Sequence, residues 1–213
     1  MYTAHPSATL NALFAHKPYQ GVAPQEATFL FVGLDANYEA EIERKPIFVR
    51  LREYHEDGVS FWRKYRVHHP FLLPQYSGDG QFYHRSFSRI GFGSEQAHCV
   101  SFIELLHVPT VGRSKLEVAD LKAQHLAMLN EIFLGGAAKH IFIPRGVARL
   151  MHATKVFGWL SKSPTEYVGP LGVLYRDESK AVYSHLHFSV YGKFEERKAN
   201  EAVAIRELIA RGS

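Results

Sequence analysis

The sequence predicts an α/β protein: a three-layer α/β/α arrangement around a mostly parallel central sheet. Three observations carry this expectation. Short apolar runs end at glycine, proline or a polar residue, as fully buried strands do. Amphipathic helical segments separate them, and such alternation favours a sheet with helices on both faces. Finally, 46% of the 213 residues are hydrophobic, enough for a substantial core. The expected organisation is a single domain over residues 1–213, with its core at about 27–192 and a C-terminal helix at about 193–211.

"ATFLFV" (27–32) reads as the first buried strand, stopped by Gly33. A helical patch at 37–44 follows. "VSFWRKYRVHHPFLLP" then reads as helix until Pro70. In "FYHRSFSRIG" the apolar residues lie three and four apart, which predicts a helix stopped by Gly91. "HCVSFIEL" is the second strand. Ser114 and Glu117 have the spacing of a capping box, predicting a helix from there to "NEIFLGG". "KHIFIP" is the third strand, "GVARLMHATKVFGWL" the helix after it, and "LGVLYRDESKAVYSHLHF" a hairpin. The closing "KFEERKANEAVAIRELIARG" is an amphipathic helix.

Composition narrows the function classes. The 25 basic and 21 acidic residues leave a net charge of +4, which permits a polyanionic partner without requiring one. Cys99 is the single cysteine, so an internal disulfide, a cysteine zinc site and an iron–sulfur cluster are excluded within the chain. It reads as a small core residue. The opening "MYTAHPSATLNALF" lacks the charged-then-apolar layout of a secretory signal, and no apolar run approaches membrane-spanning length. The expectation is a cytoplasmic, monomeric protein without a membrane partner.

In a parallel sheet, function collects at the carboxyl ends of the strands. Four such ends carry chemistry here. Gly33-Leu34-Asp35-Ala36-Asn37-Tyr38 combines a glycine permitting close approach, a carboxylate and an aromatic face; Asp35 could equally cap a helix. "SFIELLHVPTVGRS" leads into a loop with Arg113 and Ser114, suited to a phosphate. "FIPRGVARL" repeats that logic with Arg145. "YSHLHFSVYG" holds His185 and His187, which on a strand would share a face and could bind a metal with Asp35 or donate to developing negative charge.

Taken in order, these four segments resemble the uracil-DNA glycosylase superfamily over about Ala27 to Gly192. Gly33-Leu34-Asp35-Ala36-Asn37 stands where that family has GQDPY or GINPG, and His187-Phe188-Ser189 where it closes with HPS. The resemblance implies a uracil-DNA-glycosylase-like fold and hydrolysis of the N-glycosidic bond of a base flipped out of single- or double-stranded DNA, with no cofactor and no metal. It makes Asp35 and His187 catalytic, and lines the base pocket with Gly33, Leu34, Ala36, Asn37 and Tyr38. Tyr38 and Phe61 are the candidates for stacking on the base, and Ser101 or Phe102 occupies the place of the family's base-reading asparagine. Arg113, Ser114, Arg145 and Ser189 would hold DNA phosphates. The chain departs from the pattern at Ala36 and Phe188, where the family has proline, and lacks the cysteines of its iron–sulfur members. The substrate is accordingly a damaged or modified base left open in identity. The alternatives are a catalytically inactive nucleic-acid-binding protein of the same fold, and a metal-dependent hydrolase using Asp35, His185 and His187.

Overall fold

The computed structural model describes residues 2–112 and 115–212. Seven strands form one sheet in the order β1-β3-β2-β4-β7-β6-β5. In chain order, helix α1 (Ala8–His16) precedes β1 (Tyr19–Gly21) and β2 (Phe29–Gly33). Helices α2 (Phe48–Glu56), α3 (Gly58–Tyr65) and α4 (Gln81–Ser88) lead to β3 (Val100–Glu104). Helix α5 (Ala123–Gly135) connects to β4 (His140–Pro144), and α6 (Arg145–Ala153) begins at once. The small strand β5 (Glu166–Val168), the hairpin β6 (Leu171–Arg176) and β7 (Ala181–His185), and helix α7 (Glu195–Gly212) complete the fold.

The sheet is mixed rather than mostly parallel. The central strands β3, β2, β4 and β7 run parallel, but β1 joins one side antiparallel and the β6–β5 ribbon joins the other antiparallel. Both additions are local. Strand β1 is three residues long, and the four residues between β6 and β7 can only make a tight return.

Residues of β2 alternate between two cores, as a strand buried on both faces must. Phe29 and Phe31 face Trp62, Phe87, Phe188 and the inner side of α7. Leu30 and Val32 face α5 and α6 through Leu129, Phe133 and Met151. A third cluster, with Phe14, Leu51, Tyr54 and Phe61, packs the N-terminal helices together.

Several local expectations shift. Only Ile42–Arg44 is helical within 37–44, as a 3-10 turn. Helix α3 ends at Tyr65, five residues before Pro70, because Arg66 adopts the left-handed conformation with φ 59°. The helix read as starting at Ser114 begins at Ala123; Ser114 and Arg113 lie outside the described residues, and Glu117 precedes a 3-10 turn at Val118–Asp120. The far end of α5 is closed by Lys180, whose Nζ donates to the carbonyls of Phe133, Leu134 and Gly136 at 3.0, 2.7 and 3.2 Å.

This topology fixes where a site can form. From β2 the chain crosses to β3 on one side, then returns past β2 to β4 on the other. The carboxyl end of β2 is therefore a switch point, where the departing loops diverge and leave a crevice. Among the described residues no helix is long and apolar enough to cross a membrane.

Candidate active site

A cavity of about 350 Å³ opens at the carboxyl end of β2. The loop after β2 supplies Leu34, Asp35, Ala36, Asn37 and Tyr38; β3 supplies Glu104, and the loop after β7 supplies His187 and Ser189. The opposite wall is aromatic, with His69, Phe71, Phe82, Tyr83 and His84. A cavity of about 150 Å³ suffices for benzene, so this one holds a single heteroaromatic ring with space to spare.

The β2 loop is fixed by an extension of the sheet. Leu105 and Leu106 donate their N–H groups to the carbonyls of Gly33 and Leu34, both at 3.0 Å. Thr110 N–H donates to Ala36 O at 2.9 Å, and Tyr38 N–H to Thr110 O at 3.0 Å. The buried Thr110 hydroxyl donates to Asp35 Oδ2, while Asn37 Nδ2 donates to Thr110 Oγ1 at 2.9 Å and Gly112 O at 2.6 Å. Asp35 is thus oriented, and Asn37 acts as a brace across two loops.

Glu104 was not among the sequence candidates. It closes β3 in register with Gly33, and a Cβ built on Gly33 would meet Glu104 Oε2 at 1.9 Å. The glycine is needed because the carboxyl fills the space a side chain would take. Burial, and secondarily the charge of Asp35, push the Glu104 carboxyl up to about 8. At neutral pH the pocket floor carries a protonated acid.

His187 also remains neutral. Burial lowers its pKa, and the nearby Asp35 opposes that shift without being the larger cause. Its Nδ1 accepts the Ser189 backbone N–H at 3.3 Å, so the ring proton of the neutral form sits on Nε2. The Ser189 hydroxyl bonds the same Nδ1. His187 is therefore a neutral N–H donor. Helix α7 clamps both ends of this loop: Glu201 accepts Leu186 N–H at 2.7 Å, and the buried Lys198 donates to Val190 O at 2.7 Å.

The histidine wall is uncharged for the same reason. The rings of His69 and His84 stack at 3.6 Å and 5°, and His68 Nε2 lies 3.1 Å from His84 Nδ1. Burial holds His84 down to about 3, and holds His68 and His69 well below the usual imidazole value.

Not every expected residue reaches this cavity. Gly33, Leu34, Asp35, Ala36, Asn37, Tyr38, His187 and Ser189 line it together. Tyr38 is buried, and its hydroxyl accepts from Gln20 Nε2 at 3.2 Å, so it forms wall rather than a free stacking platform. Phe61 is 1% exposed and packs on Tyr54 and Tyr65 in the N-terminal core. Ser101 is fully buried against β1, with its hydroxyl donating to Gln20 O at 3.4 Å. Phe102 stacks on Phe31 and meets Phe87 and His68 behind the wall. The strand position that faces the cavity is Glu104, two residues beyond Phe102, because only the last residue of β3 clears the sheet. Arg145 is exposed at the start of α6, beside a second, apolar cavity of about 390 Å³ that shares Leu34 and His187 with the first.

The metal arrangement fails on geometry. β7 ends at His185, so the two histidines do not share a strand face. His185 is buried, donates Nδ1–H to Leu186 O at 2.6 Å and packs on Phe188. Among the described residues no three His, Cys, Asp or Glu side chains converge as metal ligands would.

Searches against known protein families and against curated proteins find no match for the chain. The functional reading therefore rests on the residues themselves.

Proposed function

We propose that this cavity is the base pocket of a DNA glycosylase-like enzyme, on a uracil-DNA-glycosylase-like variant of the fold. The observation that carries the reading is the convergence of a braced carboxylate, Asp35, and a neutral N–H donor, His187, in one aromatic-walled cavity at the switch point of the sheet. A flat uncharged wall suits a base removed from its stack, and the two polar groups suit the two charges that grow when its bond to sugar breaks.

In this reading the bond between C1′ and the base nitrogen breaks, and its electron pair leaves with the base. Asp35 opposes the positive charge growing on the sugar and orients a water. The water oxygen bonds to C1′, and a proton passes from it to the Asp35 carboxylate. His187 donates a hydrogen bond from Nε2 to the base as it becomes negative, an interaction of about 2.7–4 kcal/mol when the donor is preorganised. Arg145, beside the adjoining apolar cavity, and Ser189, beside His187, would meet phosphates.

Base release from labelled single- and double-stranded oligonucleotides tests the proposal, with uracil, hypoxanthine, xanthine, oxidised bases and modified pyrimidines in the panel. The expected result is release of at least one base, reduced roughly 10²–10⁴-fold by Asp35→Asn and about 10²–10³-fold by His187→Ala. Binding without release, insensitive to Asp35→Asn, refutes the enzyme and leaves an inactive nucleic-acid-binding protein.

A further inference from the structure

The floor of the cavity asks what a carboxyl group does beside a second carboxyl. Glu104 has room made for it by Gly33 and turns toward the cavity rather than toward a cation. Among the described residues no side chain donates a hydrogen bond to its carboxyl and none pairs with it. His125 reaches only its backbone carbonyl, at 2.9 Å. Glu104 is half-buried and its carboxyl lines the open cavity, so water or a ligand entering there meets it.

The groups facing it leave one combination. Asp35 is the charged neighbour from the β2 loop and disfavours a second negative charge. Tyr38, Tyr54 and Tyr83 all feel Glu104 and are held protonated, chiefly by burial. The histidines of the wall and His187 are kept neutral by burial. No group that would favour ionisation of Glu104 approaches it among the described residues.

The geometry points to Glu104 as the specificity-determining residue of the pocket, its carboxyl meeting the ligand's edge as donor and acceptor at once. This rests on the base-pocket reading above and deepens it. A neutral carboxyl offers one O–H and one C=O side by side. It matches a heterocycle edge with an adjacent donor and acceptor, either a lactam (C=O beside N–H) or an amidine (NH₂ beside ring N). An ionised carboxyl offers acceptors only and matches neither. It would instead take an edge with two adjacent donors, as guanine has. The proton on Glu104 therefore decides which ring edge the pocket accepts: uracil, hypoxanthine and adenine meet only the neutral form, whereas guanine, a lactam with a second donor, meets either. Being symmetric, the neutral acid can present its donor and acceptor in either order.

The test is equilibrium binding of nucleosides, measured by calorimetry between pH 6 and 9, to the wild type, Glu104→Gln and Glu104→Ala. The probes are 2′-deoxyuridine, 2′-deoxyinosine, 2′-deoxyadenosine and 2′-deoxyguanosine, with the N3-methyl and N1-methyl forms of the first two. Glutamine keeps a donor and an acceptor but cannot ionise. Wild-type affinity for a donor–acceptor ring should fall about tenfold, relative to Glu104→Gln, between pH 7 and 9, following the fraction of protein still protonated. That ratio cancels ionisation of the nucleoside itself. Methylation of the edge and Glu104→Ala should each cost about tenfold or more at pH 7. Binding equal in wild type and Glu104→Ala, a ratio to Glu104→Gln that does not change with pH, or no binding of any probe overturns the assignment. Since no bond is cleaved, this pattern would stand even if oligonucleotides released no base, and the failure of one proposal is distinguishable from the failure of the other.

Discussion

The protonated carboxyl at the pocket floor should be visible in the stability of the protein with no ligand present. Glu104→Gln replaces it with a group of the same shape that cannot ionise. The Glu104 carboxyl rises from 4.5 to about 8 on folding. At about 1.4 kcal/mol per unit, that is an upper limit near 5 kcal/mol. The cavity is open to water, and screening by that water reduces the figure to about 2 kcal/mol. The direction follows from linkage: a raised folded-state pKa gives stability that is fully present below the unfolded value and lost as pH climbs to the folded one. The wild type should therefore weaken between about pH 4.5 and 8 relative to Glu104→Gln. For a chain of this size, about 2–4 °C of Tm accompanies each kcal/mol, so the glutamine variant should melt roughly 4–8 °C higher at pH 8.5. At pH 4.5 the two should agree within about 2 °C, since the folded carboxyl is then neutral and the unfolded one only half ionised. Adding Asp35→Asn should narrow the gap at pH 8.5 only in part, because burial is the larger cause and Asp35 the smaller. Calorimetric melting at the two pH values reads all of this. A Tm difference that is the same at pH 4.5 and 8.5 would refute the reasoning, for it would mean that folding leaves the Glu104 carboxyl at its ordinary value.

Gly33→Ala attacks the same group from beneath: its Cβ would fall 1.9 Å from Glu104 Oε2 and 2.6 Å from Cδ, so the carboxyl must swing away. The displaced atoms end a flexible side chain, so thermal melting should record a cost of only about 1–3 kcal/mol, while nucleoside affinity drops at least as far as in Glu104→Ala. Glu201→Ala removes the acceptor of Leu186 N–H at 2.7 Å and should cost about 1–3 kcal/mol. If the α7 clamp positions His187, base release should show a lower kcat with KM little changed, and Glu201→Gln, which retains an acceptor, should recover most of the rate.

Much of the framework was legible because its elements are locally encoded. The runs "HCVSFIEL" and "KHIFIP" contain β3 and β4, "ATFLFV" holds all of β2 but its final Gly33, and the α7 segment is amphipathic along its length. The antiparallel edges were harder to read. Strand β1 has only three half-buried residues and is defined by its pairing with Ser101–Ile103, a contact far away in sequence. The Ser114–Glu117 spacing misled for a related reason: a capping box is a local preference, and tertiary contacts start α5 at Ala123 instead, with His125 bonded to Glu104 O. The site followed the same division. Asp35 and His187 lie just past strand ends that sequence could locate. The aromatic wall comes from α4 and the segment before it, whose spacing announces a buried helix face but not a cavity. Glu104 had one usable signal, a charge ending a buried run. Its weight depended on the register that sets it against Gly33.

The two departures from the glycosylase pattern have structural counterparts that bear on whether the loops are rigid enough for catalysis. Proline stiffens a loop by fixing its backbone, and neither Ala36 nor Phe188 can do that. Packing and pairing supply the constraint here. Ala36 accepts Thr110 N–H at 2.9 Å, so its carbonyl is held in a continuation of the sheet. Phe188 is 5% exposed, with its ring set among Phe31, Tyr83, Phe87 and His185. It anchors the middle of the loop in the central core, while Glu201 and Lys198 hold Leu186 and Val190 on either side. The loop that carries His187 is thus tied at three successive points, and a donor fixed in this way keeps its aim without a proline. The same contacts make the aromatic core and α7 part of the site's support. The cost of loosening them should therefore appear in the chemistry as well as in the melting temperature.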